Sequence, residues 1–206
     1  VFNKCSNLKS LKGLNKWNMQ NCYDMSHMFS ECSSLVSLKE LENWDTQNVM
    51  TIDYLFNGCI SLKSLEGLQK FVVKNANEFS CLFNHCSSIV NVDELENWDV
   101  SNATNIDYLF NNCSSLESIK GLEKWNTSKV ENMSYAFNGC SELTSVEYLL
   151  NWDTSSVTNM SQLFNGCSGL LCTKGLENWK TCNVTDMYYM FGDCSSLFFL
   201  QELENW

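Results

Sequence analysis

The stretch LFNGCSGLLCTKGLENW, Leu163–Trp179, has two close echoes in the same chain: LFNGCISLKSLEGLQKF, Leu55–Phe71, and LFNNCSSLESIKGLEKW, Leu109–Trp125. Working outward from these, tryptophan recurs every 27 residues as Trp17, Trp44, Trp98, Trp125, Trp152, Trp179 and Trp206, with Phe71 in the remaining slot. Cysteine keeps the same step as Cys5, Cys32, Cys59, Cys86, Cys113, Cys140, Cys167 and Cys194. Phenylalanine does so from Phe2 and Phe29 through Phe191, and no insertion or deletion breaks the frame. The consensus is W-D-T-S-x-V-T-N-M-S-x-L-F-N-G-C-S-S-L-x-S-L-x-G-L-E-N.

A fixed period of this size marks stacked units that cannot bury an apolar face alone and seal one another above and below. The expected fold is therefore an α/β solenoid, a leucine-rich-repeat-like right-handed coil of 27-residue units. Residues 1–206 form one array of about 7.5 units, read as a segment of a longer protein. The L-x-S-L segment, bounded by Ser and Gly, predicts a short parallel strand, and V-T-N-M a second extended run. S-x-L-F-N-G-C places apolar residues at turn spacing and predicts one short-helix face. The core ladder is Trp17, Trp44, Phe71, Trp98, Trp125, Trp152 and Trp179 with Cys32, Cys59, Cys86, Cys113, Cys140 and Cys167. A slower rhythm lies beneath: Gly13, Glu40, Gly67, Glu94, Gly121, Tyr148, Gly175 and Glu202 alternate, which points to an ancestral unit of 54 residues.

Formal charge is −11 and every basic residue is lysine. Without clustered lysine and arginine, nucleic acid and anionic membrane are excluded as partners. No run approaches the roughly 20 apolar residues that span a bilayer, so the segment does not insert.

The L-F-x-x-C-S-S-L-x-x-L-x-x-L frame, read with W-D-T-S-x-V-T-N-M-S ahead of it, resembles the BspA-like leucine-rich repeats. The closest form is the W-D-T-S-x-V-T-N-M-S-x-M-F-x-x-C version of mycoplasma-type surface lipoproteins, and the match runs the whole length of the chain. The resemblance implies an extracellular solenoid used in adhesion or recognition, at the cell surface or secreted.

Cysteines stacked about 4.8 Å apart with parallel side chains resist bridging, because a disulfide needs Cβ atoms nearer 3.8 Å and facing one another. The ladder is expected to be buried free thiols acting as small hydrophobes. Cys22, Cys81, Cys172 and Cys182 lie off the ladder, and Cys172 with Cys182 is the candidate pair if any bridge forms. No metal, cofactor or catalytic residue is assigned. The two histidines, His27 and His85, are isolated, C-x-x-C is absent, and the acids after Trp, such as Asp45, Asp99 and Asp153, read as solvated turns rather than a calcium row. The candidate contact surface is one column, His27, Tyr54, Tyr108, Tyr135 and Tyr189, interrupted by Cys81 and Gln162. A partly buried column that only covers the coil edge is the competing reading.

The expected function is a non-enzymatic recognition or adhesion array for a protein or glycoprotein ligand. Exposed positions such as Lys63, Val90, Glu117, Thr144, Leu171 and Phe198 vary around a fixed core. The alternative is a structural spacer or filament subunit that binds copies of itself.

Overall fold

Every main-chain N–H and C=O that a coil buries needs a partner, and the 27-residue period decides where it is found. In the computed structural model, which describes residues 1–204 and 206, alternate N–H groups of one segment reach the next coil. Met25, His27, Phe29 and Glu31 donate to the carbonyls of Thr51, Asp53, Leu55 and Asn57 at 2.6–3.0 Å. The intervening Met28, Ser30 and Cys32 donate three residues back, to Met25, His27 and Phe29. Each later coil repeats this, as when Tyr108, Phe110 and Asn112 bond to Ser134, Ala136 and Asn138. The result is a solenoid of coils stacked in register.

Positions within a coil are counted from the tryptophan slot as 0, which puts tyrosine at +10, phenylalanine at +12 and cysteine at +15. Two corrections follow from the bonding. The expected short-helix face is a chain of linked β-turns. Residues at +10 and +14 have positive φ, for example Tyr54 at 57° and Gly58 at 72°, and no helix accommodates that backbone. The expected strands shrink to isolated parallel bridges, such as Asn105 with Asn132 and Asn91 with Ser118, because the same turns interrupt pairing after a single residue. The only helical pieces among the described residues are single 3-10 turns, such as Lys39–Leu41 and Asp93–Leu95. Coil stacking rather than an α/β alternation builds the fold.

The core is continuous and its columns run along the stack. Phe29, Phe56, Phe83, Phe110, Phe137 and Phe164 are fully buried in one file with ring centroids 5.5–5.8 Å apart. Trp125 and Trp152 stand 6.3 Å apart with planes within 1°. Each indole also has a polar duty: Trp98, Trp125 and Trp152 donate Nε1–H to the carbonyls of Leu68, Leu95 and Leu122 in the preceding coil at 2.9–3.1 Å. On the other side of the main chain, stacked +10 rings lie 4.4–4.5 Å apart. Coil spacing thus widens from the +10 face through the Phe file to the Trp file, and the stack fans open toward tryptophan.

The cysteine file is buried and unbridged, and all twelve cysteines are free, Cys172 and Cys182 included. Its chemistry exceeds that of a small hydrophobe. Cys59, Cys86, Cys113, Cys140 and Cys167 each point Sγ at the carbonyl of the phenylalanine 30 residues earlier, at 3.1–3.3 Å, so each thiol satisfies an otherwise buried acceptor. Burial pushes the Cys113 thiol up to about 12 and the Cys86 and Cys140 thiols well above their ordinary range. Titration with a thiol reagent at pH 8 is therefore expected to modify exposed Cys5 and Cys182 at once and the buried file only as the protein unfolds. Rapid native labelling of Cys113 and Cys140 would contradict this.

A second relay was visible in the sequence only as a recurring letter. Asn84, Asn111, Asn138 and Asn165 at +13 each donate Nδ2–H to the Oδ1 of the asparagine one coil earlier. The chain of amides ends where Gly192 takes the next slot, which leaves Asn165 Oδ1 buried without a donor.

The 54-residue rhythm is structural. Coils with Glu40, Glu94 or Tyr148 at +23 make a 3-10 turn there. Gly67 and Gly175 instead take φ of +114° and +106°, and each sits against the preceding coil so closely that a Cβ would fall 2.2–2.3 Å from the carbonyl oxygen of Leu38 or Val146. Gly121 makes the same approach to Val92 inside a 3-10 turn of its own.

Candidate functional site

The +10 column is built by the turn that precedes phenylalanine. Its N–H is committed to the next coil, as when Tyr54, Tyr108 and Tyr135 bond to the carbonyls of Ser80, Ser134 and Ser161 at 2.9 Å. With the +8 and +12 side chains turned into the core, the +10 side chain stays outside it. His27 and Tyr189 are exposed, and Tyr54, Tyr108 and Tyr135 are half-buried. His27 stacks on Tyr54 at 4.5 Å and Tyr108 on Tyr135 at 4.4 Å, planes within 9°. Gln162 continues the file by donating Nε2–H to the Tyr135 hydroxyl. The sequence-derived column is thus one file, and both readings of it hold in part: ring faces cover one another while hydroxyl edges face out.

Every member of this file is in the left-handed region: His27 at 54°, Tyr54 at 57°, Cys81 at 55°, Tyr108 at 54°, Tyr135 at 59°, Gln162 at 53° and Tyr189 at 52°. A non-glycine residue there costs roughly 1–2 kcal/mol. The other left-handed column, +14, relieves that cost with Gly58, Gly139 and Gly166. No coil uses glycine at +10.

Carboxylates line the foot of the file. Asp53, at +9, is half-buried next to Tyr54, with Oδ1 lacking a hydrogen bond. Burial raises its pKa to about 6, and the carboxylates of Glu78, Asp107 and Asp24 add to the shift against an opposing contact from the Ser80 main chain. Tyr54 is pushed up to about 12, chiefly by the Cys81 thiol next to it. Because the folded-state pKa of Asp53 exceeds its ordinary 3.8, folding favours the protonated acid. The penalty is present at pH 7, fades as pH falls through 6 and is gone below about 4. Discounted for partial exposure, it amounts to about 1 kcal/mol. Asp53→Asn is expected to raise stability by that amount at pH 7 and by nothing near pH 4 in parallel urea melts; an equal gain at both values would show that the charge is not the cause.

The acids after tryptophan are absorbed locally. Asp45, Asp99 and Asp153 accept from the N–H two residues on, at 3.0–3.2 Å, as Asx turns. Among the described residues no group of three or more His, Cys, Asp or Glu side chains is arranged to hold a metal ion. Lys63, Val90, Glu117, Thr144, Leu171 and Phe198 at +19 are all exposed, next to a +18 column that is fully buried from Leu35 to Leu170. Sequence reasoning missed a further feature, an open groove between the +4 and +6 columns from Tyr23 to Lys129. Its signal was recurring asparagine at Asn48, Asn75 and Asn102.

The model of the family described as "Mycoplasma protein of unknown function, DUF285" matches residues 1–120 and again 115–206. The chain belongs to this family. Members of the DUF285 family are thus built, in this instance, as stacked 27-residue coils. Among solved structures, a leucine-rich repeat protein from Bacteroides ovatus is similar at 18% identity and a TM-score of 0.40, over 74% of this chain and 40% of that one. This chain therefore spans less than half of that protein. No curated protein matches the chain. Among the described residues no helix is long and apolar enough to cross a membrane.

Proposed function

We propose that this DUF285 array is a non-enzymatic recognition module, displayed at a cell surface or secreted, that binds a protein or glycoprotein through the face carrying His27, Tyr54, Tyr108, Tyr135 and Tyr189. One observation carries the reading: side chains are kept at +10 in every coil from His27 to Tyr189 although the backbone there favours glycine, which the chain does use at +14. Tyrosine supplies contact area at low entropic cost and an outward hydroxyl, and it recurs here along one edge of the stack. The exposed +19 column adds variation that leaves the core untouched.

The test is a double variant, Tyr108→Gly with Tyr135→Gly. Glycine relieves backbone strain, so the melting temperature is expected to stay within a few degrees of wild type. Binding to immobilised extracellular-matrix glycoproteins and mucin, read by interferometry, is expected to fall at least tenfold. Unchanged binding with a large drop in melting temperature would mean that the file is only a cover. Light scattering on the same samples addresses the self-assembling alternative, since concentration-dependent growth without any ligand would favour a filament subunit.

A further inference from the structure

The +5 residues Val49, Ala76, Ala103 and Val130 are buried in the core, so the +4 and +6 columns on either side of them flank a trough that crosses several coils. It encloses about 560 Å³ and is lined by Tyr23 and Met50 at one end, the amides of Asn48, Asn75, Asn77 and Asn102 along its length, and Thr104 and Lys129 at the other end. We propose that this groove binds a neutral, linear oligosaccharide laid along the solenoid axis.

Three features select that ligand. The first is a preset row of amides. Asn48, Asn75 and Asn102 donate Nδ2–H to the carbonyls of Gln20, Gln47 and Lys74 in the preceding coil, each at 2.8 Å. One amide hydrogen is thereby used to fix the side chain, while the second hydrogen is left for a ligand. The Oδ1 atoms of Asn48 and Asn75 accept no hydrogen bond among the described residues, so each presents a paired donor and acceptor, the pattern that vicinal hydroxyls satisfy. The second feature is the apolar end, where Tyr23 is 57% exposed and Met50 56% exposed. A ring and a thioether there offer a platform for the C–H face of a sugar.

The third is register. Coils joined by main-chain bonds in this region, such as Met50 N–H to Tyr23 C=O at 2.8 Å, stand about one strand spacing apart, ~4.8 Å. An extended peptide presents like-facing groups every ~6.6 Å and falls out of step with the amides after one coil. A β-1,4-linked pyranose chain advances by close to one coil per ring. Charge excludes the acidic glycans: the chain carries −11, and the one lysine of the groove, Lys129, is tied through Nζ to Asn102 Oδ1 at 2.7 Å.

The groove shares no residue with the +10 or +19 columns, so this inference and the recognition reading fail separately. Cellohexaose is the probe, titrated calorimetrically into the full 206-residue chain, with cellobiose as a length control and a hexapeptide of glycine and serine as a backbone control. Cellohexaose is expected to bind, and cellobiose at least tenfold more weakly. The array itself supplies a conservative variant: Ser156 stands in the +4 column and keeps the coil bond through Oγ to the Ser128 carbonyl at 2.7 Å. Asn48→Ser with Asn75→Ser should therefore leave the melting temperature unchanged and weaken cellohexaose at least tenfold. Tyr23→Ser, at an exposed position, should weaken it as well. No binding by the wild-type chain, binding insensitive to all three substitutions, or preference for the hexapeptide would each overturn the assignment.

Discussion

Replacing Phe110 by alanine is expected to lower stability by about 3–5 kcal/mol. The ring is fully buried and sits between Phe83 at 5.5 Å and Phe137 at 5.8 Å. Truncation therefore removes contacts to two neighbouring coils at once, and the main chain around it has little freedom to collapse into the void. Phe110 N–H bonds to Ala136, the Phe110 carbonyl accepts from Cys113 N–H, and the same carbonyl receives the Cys140 thiol at 3.3 Å. In a linear array each coil is sealed only by its neighbours, so the damage is concentrated at one interface. Urea unfolding should show a lower midpoint and a broadened or split transition. A loss under about 1 kcal/mol would mean that the phenylalanine file is not packed as described.

Gly121→Ala is expected to cost about 3 kcal/mol or more, although alanine is ordinarily the better residue in a helical turn. The backbone of Gly121 has no positive φ, so conformational strain is not the reason. A Cβ there would lie 1.9 Å from the Val92 carbonyl oxygen and 2.9 Å from the Asp93 Cα, and both are main-chain atoms of the preceding coil that cannot rotate away. The informative comparison is Gly13→Ala. That glycine has φ +101° but nothing within 4 Å, so only the backbone term of about 1–2 kcal/mol applies. Thermal melts of both variants separate close approach from conformational freedom. Equal losses would remove the physical basis given for the two-coil rhythm.

The solenoid was legible because its cause is periodic. A slot that carries Trp or Phe at every 27th residue has one consistent environment, and a file of buried rings is that environment. Local geometry was not legible, for two reasons. Leu55, Phe56 and Cys59 have the spacing of a helical turn, and the same spacing arises when successive β-turns point alternate residues inward. The N–H of Tyr54 finds its partner 26 residues along the chain, on Ser80, and no local window contains that residue. The left-handed backbone at Tyr54, Tyr108 and Tyr135 contradicts ordinary residue preference, so no propensity could have indicated it. The tyrosine column itself was visible by register, whereas the outward amides of Asn48 and Asn75 acquire meaning only once stacked coils align them. The thiols were read as apolar filler because the acceptor of Cys113 is the carbonyl of Phe83, one coil away.

Crystallographic determination of the tryptophan file tests the stacking most directly. The account predicts Trp125 and Trp152 with ring centroids near 6.3 Å, planes parallel, and each indole N–H on the carbonyl of Leu95 or Leu122. Indoles found in unlike environments, or coils displaced so that Trp125 no longer lies over Trp152, would contradict it.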